Sequence, residues 1–416
     1  MPRLLIIAAI AASYFVFAIL LNSVGTVILQ SINSFDISKP DASTLEGFKD
    51  LSIAAVSFLV ASFIPRVGYK LAMLAGLVLV GVLCVVTPVI SEFWVIKLLF
   101  AGVGTAFALV KVSVYAIIGQ LSSSTREHSS LMNIVEGIFM LGVLSGYWIF
   151  SAFIDPADSA NLAWMNVYYL LAALCLFIAL LVLFAPIAKP GLDEQEDTPA
   201  QAFMAMLKLA YRPLVLIFVL SVFLYVLIEQ GIGTWLPTFN REVLGLPVNI
   251  SIQITSVFAV SLAVGRLLAG GILRKVSWYP FINTCLVGMA AIMLLSLPLA
   301  ERVPAGSVVG LADAPLAAFL IPLIGLMMAP IYPVINSVML SALPKVQQAP
   351  MTGLIVVFSA LGGTTGSVIT GFIFDSMGGQ RAFSLALVPI AGMLITLFFF
   401  RRVSAPLLQQ PAGASV

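Results

Sequence analysis

Residues 188–212 read AKPGLDEQEDTPAQAFMAMLKLAYR. Asp193, Glu194, Glu196 and Asp197 stand between Pro190 and Pro199 in this stretch, the longest polar one in the chain, and such a composition reads as a flexible connection. What flanks it decides the fold. Upstream, apolar runs cover Leu4–Ile28, Leu51–Ile64, Leu71–Ile90, Phe93–Ile118, Leu131–Phe153 and Trp164–Ile187. Downstream they cover Leu214–Phe239, Ile250–Leu273, Tyr279–Leu299, Leu316–Leu343, Met351–Phe374 and Ala382–Phe400. A helix of about 20 mainly apolar residues crosses about 30 Å of hydrocarbon. The chain therefore reads as an all-α membrane protein of twelve transmembrane helices in two six-helix halves. The expected boundaries are residues 1–187 and 213–402 for the halves, 188–212 for the connection and 403–416 for a tail.

Composition agrees with this reading. The 416 residues are 61% apolar and 9% charged, with a mean hydropathy of +1.13, whereas a soluble domain carries about 25% charged residues. Too little polar surface remains to face water. A net charge of +2 gives no electrostatic footprint for nucleic acid. Cys84, Cys175 and Cys285 fall inside apolar runs, far from any metal-ligand spacing, and read as small core residues. Ala9-Ile10-Ala11 resembles a signal-peptide cleavage site, but the apolar stretch before it is too short and the run continues beyond it, so this segment is read as the first helix. The only histidine, His128, lies beside Arg126 and Glu127 in a polar loop. No nucleophile is paired with a base and no phosphate-binding glycine loop appears, so neither an enzyme, a cofactor nor ATP-driven transport is expected.

Orientation follows from where Lys and Arg sit, because cytoplasmic loops carry the excess. With the N-terminus inside, twelve of the 20 basic residues collect on one side. Lys39, Lys49, Arg241, Arg302 and Arg381 fall on the other, and Lys97, Lys111 and Arg266 lie within helices. Both termini are expected to be cytoplasmic, in the plasma membrane or, in a bacterium, the inner membrane.

An ionised side chain at a helix centre costs about 2.5–3.5 kcal/mol on insertion scales, so such residues face a cavity or a partner and are functional candidates. Lys111 has no acid within one helical turn, and its expected partner is Glu136, Glu229, a solute or water. Asn133 and Glu136, three apart, share a helix face. Burial favours the protonated form of a carboxyl group, which makes Glu136 and Glu229 candidate proton carriers. In Tyr225-Val-Leu-Ile-Glu229-Gln230-Gly-Ile-Gly-Thr-Trp235, glycines at 231 and 233 weaken the helix just beyond the acid. Non-helical backbone is tolerated in a membrane only beside protein or a water-filled cavity. An aromatic ring next to amide and carboxylate groups suits a hydroxylated ligand. Asn22 and Asn336 complete the expected binding set of Asn22, Lys111, Asn133, Tyr225, Gln230, Trp235 and Asn336. Arg266 lies about two turns from the end of its helix and is read as a gating residue or as one that snorkels to headgroups. The run Gly362-Gly363-Thr364-Thr365-Gly366 permits close helix approach.

The turn Pro65-Arg66-Val67-Gly68-Tyr69-Lys70 resembles the Asp-Arg-x-Gly-Arg-Lys loop motif of the major facilitator superfamily, with Pro65 in place of the acid and Tyr69 in place of a basic residue. The resemblance implies a gating role for Arg66, Gly68 and Lys70. It also implies substrate binding between two halves near the midplane, with one half rocking against the other in alternating access. Within that superfamily the chain resembles the fucose:proton symporter family. The matching segments include Val67-Gly68-Tyr69-Lys70-Leu71-Ala72, Met132-Asn133-Ile134-Val135-Glu136, Phe223-Leu224-Tyr225-Val226, Tyr332-Pro333 and Gly371-Phe372-Ile373-Phe374-Asp375. The family's coupling acids in helices 1 and 4 align with Gly25 and Lys111, whereas Glu136 and Glu229 stand where it has amides. The resemblance implies a monomeric secondary transporter in the lipid bilayer that moves a small-molecule solute, a sugar or sugar-like molecule, with a proton or another cation as coupling ion. An organic anion, favoured by Lys111, and drug export remain open alternatives, as does a receptor or scaffold that keeps the fold without transport.

Overall fold

The computed structural model of the chain describes residues 2–188, 199–300 and 310–408. The regular secondary structure among them is helical, with no strand. Two compact units result: Met1–Pro199 together with Val248–Ser256, and Ala200–Pro247 together with Val257–Val416.

The first unit opens with α1 (Pro2–Asn22) and α2 (Val24–Phe35), one rod interrupted at Ser23. The Asn22 amide donates to the Ala18 carbonyl at 2.9 Å and the Ser23 hydroxyl to Leu20 at 2.8 Å. Such side chains compete with the backbone ladder and loosen a helix. After a left-handed Asp36 comes α3 (Lys39–Val67), longer by twelve residues at its start than the apolar run that reveals it. Ser38 caps α3 by accepting from the Asp41 amide at 3.2 Å, and Pro40 occupies the first turn, where its missing N–H costs nothing. Lys49, expected in an outer loop, is therefore inside a helix and only 5% exposed.

Gly68 ends α3 and begins α4 (Tyr69–Ile90). Its φ of +95° suits glycine, and its amide reaches the Ile64 carbonyl at 2.7 Å. There follow α5 (Phe93–Leu121), α6 (Thr125–Ala152, capped by Ser124) and α7 (Val167–Phe184), the last entered through a short 3₁₀ turn. α3 and α4 pack on α5, α4 on α7, and α1 on α6. At one end of the unit Arg3 bonds the Leu121 carbonyl at 3.2 Å and pairs with Glu127.

The second unit begins with α8 (Pro199–Ala210), so the latter part of the expected flexible connection is a helix. Its AFMAMLKLA core is built of strong helix formers, and Met206 and Leu209 are buried. The acidic residues 193–197 lie outside the described residues. α9 (Pro213–Gly233) stops at the second of the two expected glycines and resumes, after Thr234 and Trp235, as α10 (Leu236–Glu242). α11 (Val248–Ile272) and α12 (Trp278–Ala300) follow. The next crossing is broken into α13 (Leu316–Leu320), α14 (Ile324–Met328) and α15 (Ile331–Ser341). Pro322 and Pro330, each lacking a backbone donor, stand at the breaks. α16 (Lys345–Met377), α17 (Gly379–Ser384) and α18 (Leu387–Leu408) complete the chain. α16 and α18 pack on α9. A Cβ on Gly366 of α16 would strike the Leu227 backbone of α9, the close approach its glycine run implied.

Eleven helical stretches among the described residues are long and apolar enough to cross a membrane. α3, 29 residues long, accounts for the twelfth of the expected crossings.

Candidate functional site

Each unit holds polar side chains clustered within its helices. In the first, Phe107, Lys111 and Tyr115 are spaced by four along α5 and share a face. The Lys111 ammonium lies 5.7 Å from the Phe107 ring centre and 5.8 Å from that of Tyr115, within cation–π range. The Tyr115 hydroxyl donates to Glu136 Oε1 of α6 at 3.0 Å. Behind them Tyr14 of α1 packs edge-on to Phe139 at 5.8 Å and stands 6.2 Å from Phe107 and 6.3 Å from Tyr115. The Glu136 charge acts on Lys111, but no carboxylate among the described residues lies within 4 Å of the ammonium. Lys111 and Asn133 are exposed, and Glu136 and Asn22 half-buried. Asn22 spends its amide on its own helix.

In the second unit the buried Tyr225 hydroxyl lies 3.1 Å from Glu229 Oε1, one turn along α9, and 3.3 Å from the Met328 carbonyl. The charge of Arg266 reaches the same hydroxyl, which brings Arg266 to the cluster. Tyr332 of α15 packs against the Tyr225 ring at 5.6 Å and shares a hydrogen bond with Ser359 at 3.1 Å. One turn further, the buried Asn336 Oδ1 has no hydrogen-bond partner among the described residues. Gln230 is half-buried beside Glu229. Trp235 differs in kind: it is 0% exposed, its indole N–H reaches the Ser367 carbonyl at 3.0 Å, and its ring stacks on Phe374 at 5.6 Å. That geometry holds α9 to α16 and leaves Trp235 no face for a ligand.

At the Gly68 turn, Lys70 donates to the Ala185 carbonyl at 3.0 Å and ties the start of α4 to the end of α7. The Arg66 side chain lies outside the described residues.

The sequence reading missed one cluster entirely. Glu46, Lys49 and Asp50 of α3 are 0%, 5% and 8% exposed. Lys49 pairs with Glu46 and lies 3.5 Å from Asp50. The Lys49 backbone abuts Gly104, eleven residues into α5, or about 16 Å from that helix end at 1.5 Å per residue. The signal was present: Glu46 and Lys49 are three apart, close enough to pair on one helix face. Tyr115 and Tyr332 were also missed, though Tyr115 stands four residues from Lys111.

Eleven apolar crossings among the described residues, with α3 beside them, define a multi-pass membrane protein. The chain belongs to the Major Facilitator Superfamily, whose family model matches residues 7–322. It is accordingly a multi-pass membrane transporter and not an enzyme. No curated protein matches it. Among solved structures, a bacterial homologue of the human lysosomal transporter Spinster is similar in fold with a TM-score of 0.77 at 14% identity, over 99% of each chain. The nucleoside transporter NupG gives a TM-score of 0.70 at 13% identity, over 99% of this chain and 100% of that one. A variant of the E. coli fucose:proton symporter FucP gives 0.61 at 16% identity, over 96% and 99%. At such identities the likeness is one of fold alone.

Proposed function

We propose that this protein is a secondary active transporter that carries a small polar solute, a sugar or sugar-like molecule, by alternating access coupled to protons. The observation that carries the proposal is the Lys111 site. An ammonium at membrane depth is exposed between two aromatic rings, with no carboxylate closed on it, while the neighbouring Glu136 is held by Tyr115. A purely structural ion pair would be closed and sealed, because an unpaired charge in such surroundings is costly. An accessible ammonium instead offers donors to a solute's hydroxyls, and the Phe107 and Tyr115 faces cover its C–H groups. In this reading Lys111, Asn133 and Asn22 are the solute-binding candidates of the first unit, Tyr225, Gln230 and Asn336 those of the second, and Glu136 or Glu229 carries the proton. Trp235 supports the second set without touching it. Arg66, Gly68, Lys70 and Arg266 act in gating. The protein acts as a monomer in the plasma membrane, or the inner membrane of a bacterium, with both termini cytoplasmic as the sidedness of Lys and Arg suggests.

The same exposed ammonium favours a second reading, an organic anion whose carboxylate would pair with Lys111. A thermal-shift screen of sugars and organic anions on the purified protein separates the two, since a ligand that binds the folded state raises its melting temperature. Lys111→Ala should abolish the shift given by the best ligand. A shift that persists unchanged removes Lys111 from the site.

A further inference from the structure

An ammonium and a carboxylate within electrostatic reach of each other inside a membrane are expected to close into an ion pair, because each is poorly solvated there. In the first unit they stay open. Lys111 of α5 feels the Glu136 charge, yet neither residue enters an ion pair among the described residues. The group that serves both is Tyr115. The Lys111 ammonium lies 5.8 Å from its ring centre, while its hydroxyl donates to Glu136 Oε1 at 3.0 Å. The ring is backed by α1, where the buried Tyr14 stands 6.3 Å from it and 5.8 Å from Phe139 of α6. Lys111 and Tyr115 are four apart on one helix face, so cation and phenol stay neighbours, and the carboxylate of α6 bonds one or the other.

We propose that Tyr115 is a positioning residue that keeps the Lys111 site open by holding the Glu136 carboxylate off the ammonium. The inference rests on the reading of Lys111 as an accessible solute-binding group. A phenol O–H on a carboxylate is a charge-assisted bond, and it occupies the oxygen that would otherwise turn to Lys111. Without it, Glu136 swings onto the ammonium, and the site shuts on itself as the enclosed Glu46–Lys49 pair does. Phenylalanine at 115 isolates this effect, because it keeps the ring beside Lys111 and removes only the O–H.

Acetylation of Lys111 by N-hydroxysuccinimidyl acetate, read by peptide mass spectrometry on the full chain in detergent, reports whether the amine is open, with the exposed Lys275 as internal reference. The wild type should be acetylated at both lysines. Tyr115→Phe should slow Lys111 about tenfold, the weight of one hydrogen bond to a charged group, and leave Lys275 unchanged. Adding Glu136→Gln to Tyr115→Phe should restore the rate, since an amide carries no charge to pair with the ammonium. Wild-type reactivity in Tyr115→Phe, or a double variant as slow as the single one, would overturn the positioning role. Should Tyr115→Phe fail to fold, Glu136→Gln alone decides: a rate near that of the wild type supports the proposal, and a gain as large as the expected loss shows that Glu136 already covers Lys111 and refutes it. A Lys111 that stays unmodified in the wild type removes the open site and, with it, the solute reading. The expected pattern without a thermal shift from any sugar or organic anion upholds the role of Tyr115 and refutes the solute alone.

Discussion

Lys49 and Lys111 are both lysines at membrane depth, yet their surroundings assign them opposite work. Lys49 is enclosed with Glu46 and Asp50, so removing it leaves two buried carboxylates without their shared cation. Lys49→Ala should cost about 3–5 kcal/mol, as breaking a buried pair does, which chemical unfolding in detergent will show as an earlier midpoint. Lys111→Ala breaks no ion pair and should cost no more than about 2 kcal/mol, the loss of its two ring contacts, while abolishing ligand binding. The sequence made Lys111 visible because it interrupts an apolar run. It hid Lys49, since polar neighbours from Lys39 to Asp50 look like a loop until the Ser38 cap and the mutual pairing of the charges are known. Trp235 shows the converse failure: composition puts an aromatic residue beside the Glu229 site, but only packing reveals that Phe374 and Ser367 enclose it.

Between neighbouring helices, the decisive features are glycines and prolines. Gly68 holds a φ of +95°, and no atom lies within 4 Å of the point a Cβ would occupy, so a substitution there meets backbone strain and not collision. Gly68→Ala should lower stability by about 1–3 kcal/mol, whereas Gly119→Ala, in the open interior of α5, should raise it by up to about 1 kcal/mol. Thermal unfolding of the two variants side by side checks the sign of each. The break after Gly233 was legible, because paired glycines disfavour helix wherever they stand. The breaks in α1–α2 and in α13–α15 were not anticipated. The first arises from side chains that bond back to carbonyls, and the second from prolines inside an apolar run whose hydropathy alone reads as one unbroken helix. α8 was missed because a charged, proline-bounded segment masks the helix-forming run that follows it.

For the whole molecule, hydropathy sufficed to count the crossings, since covering hydrocarbon is a demand that each segment meets separately. Substrate chemistry has no such per-segment signature: it depends on which side chains from distant segments converge, and Tyr115 on Glu136 or Tyr332 on Tyr225 are meetings that spacing along the chain does not announce. The central claim, transport driven by a proton gradient through the Lys111–Glu136 site, is tested most directly in proteoliposomes with an imposed inward proton gradient and a radiolabelled sugar or sugar acid chosen by thermal shift. The wild type should accumulate the solute above its external concentration, a protonophore should collapse that accumulation, and Glu136→Gln should permit exchange but no accumulation. Flux that ignores the gradient, or accumulation undiminished in both Lys111→Ala and Glu136→Gln, would contradict it.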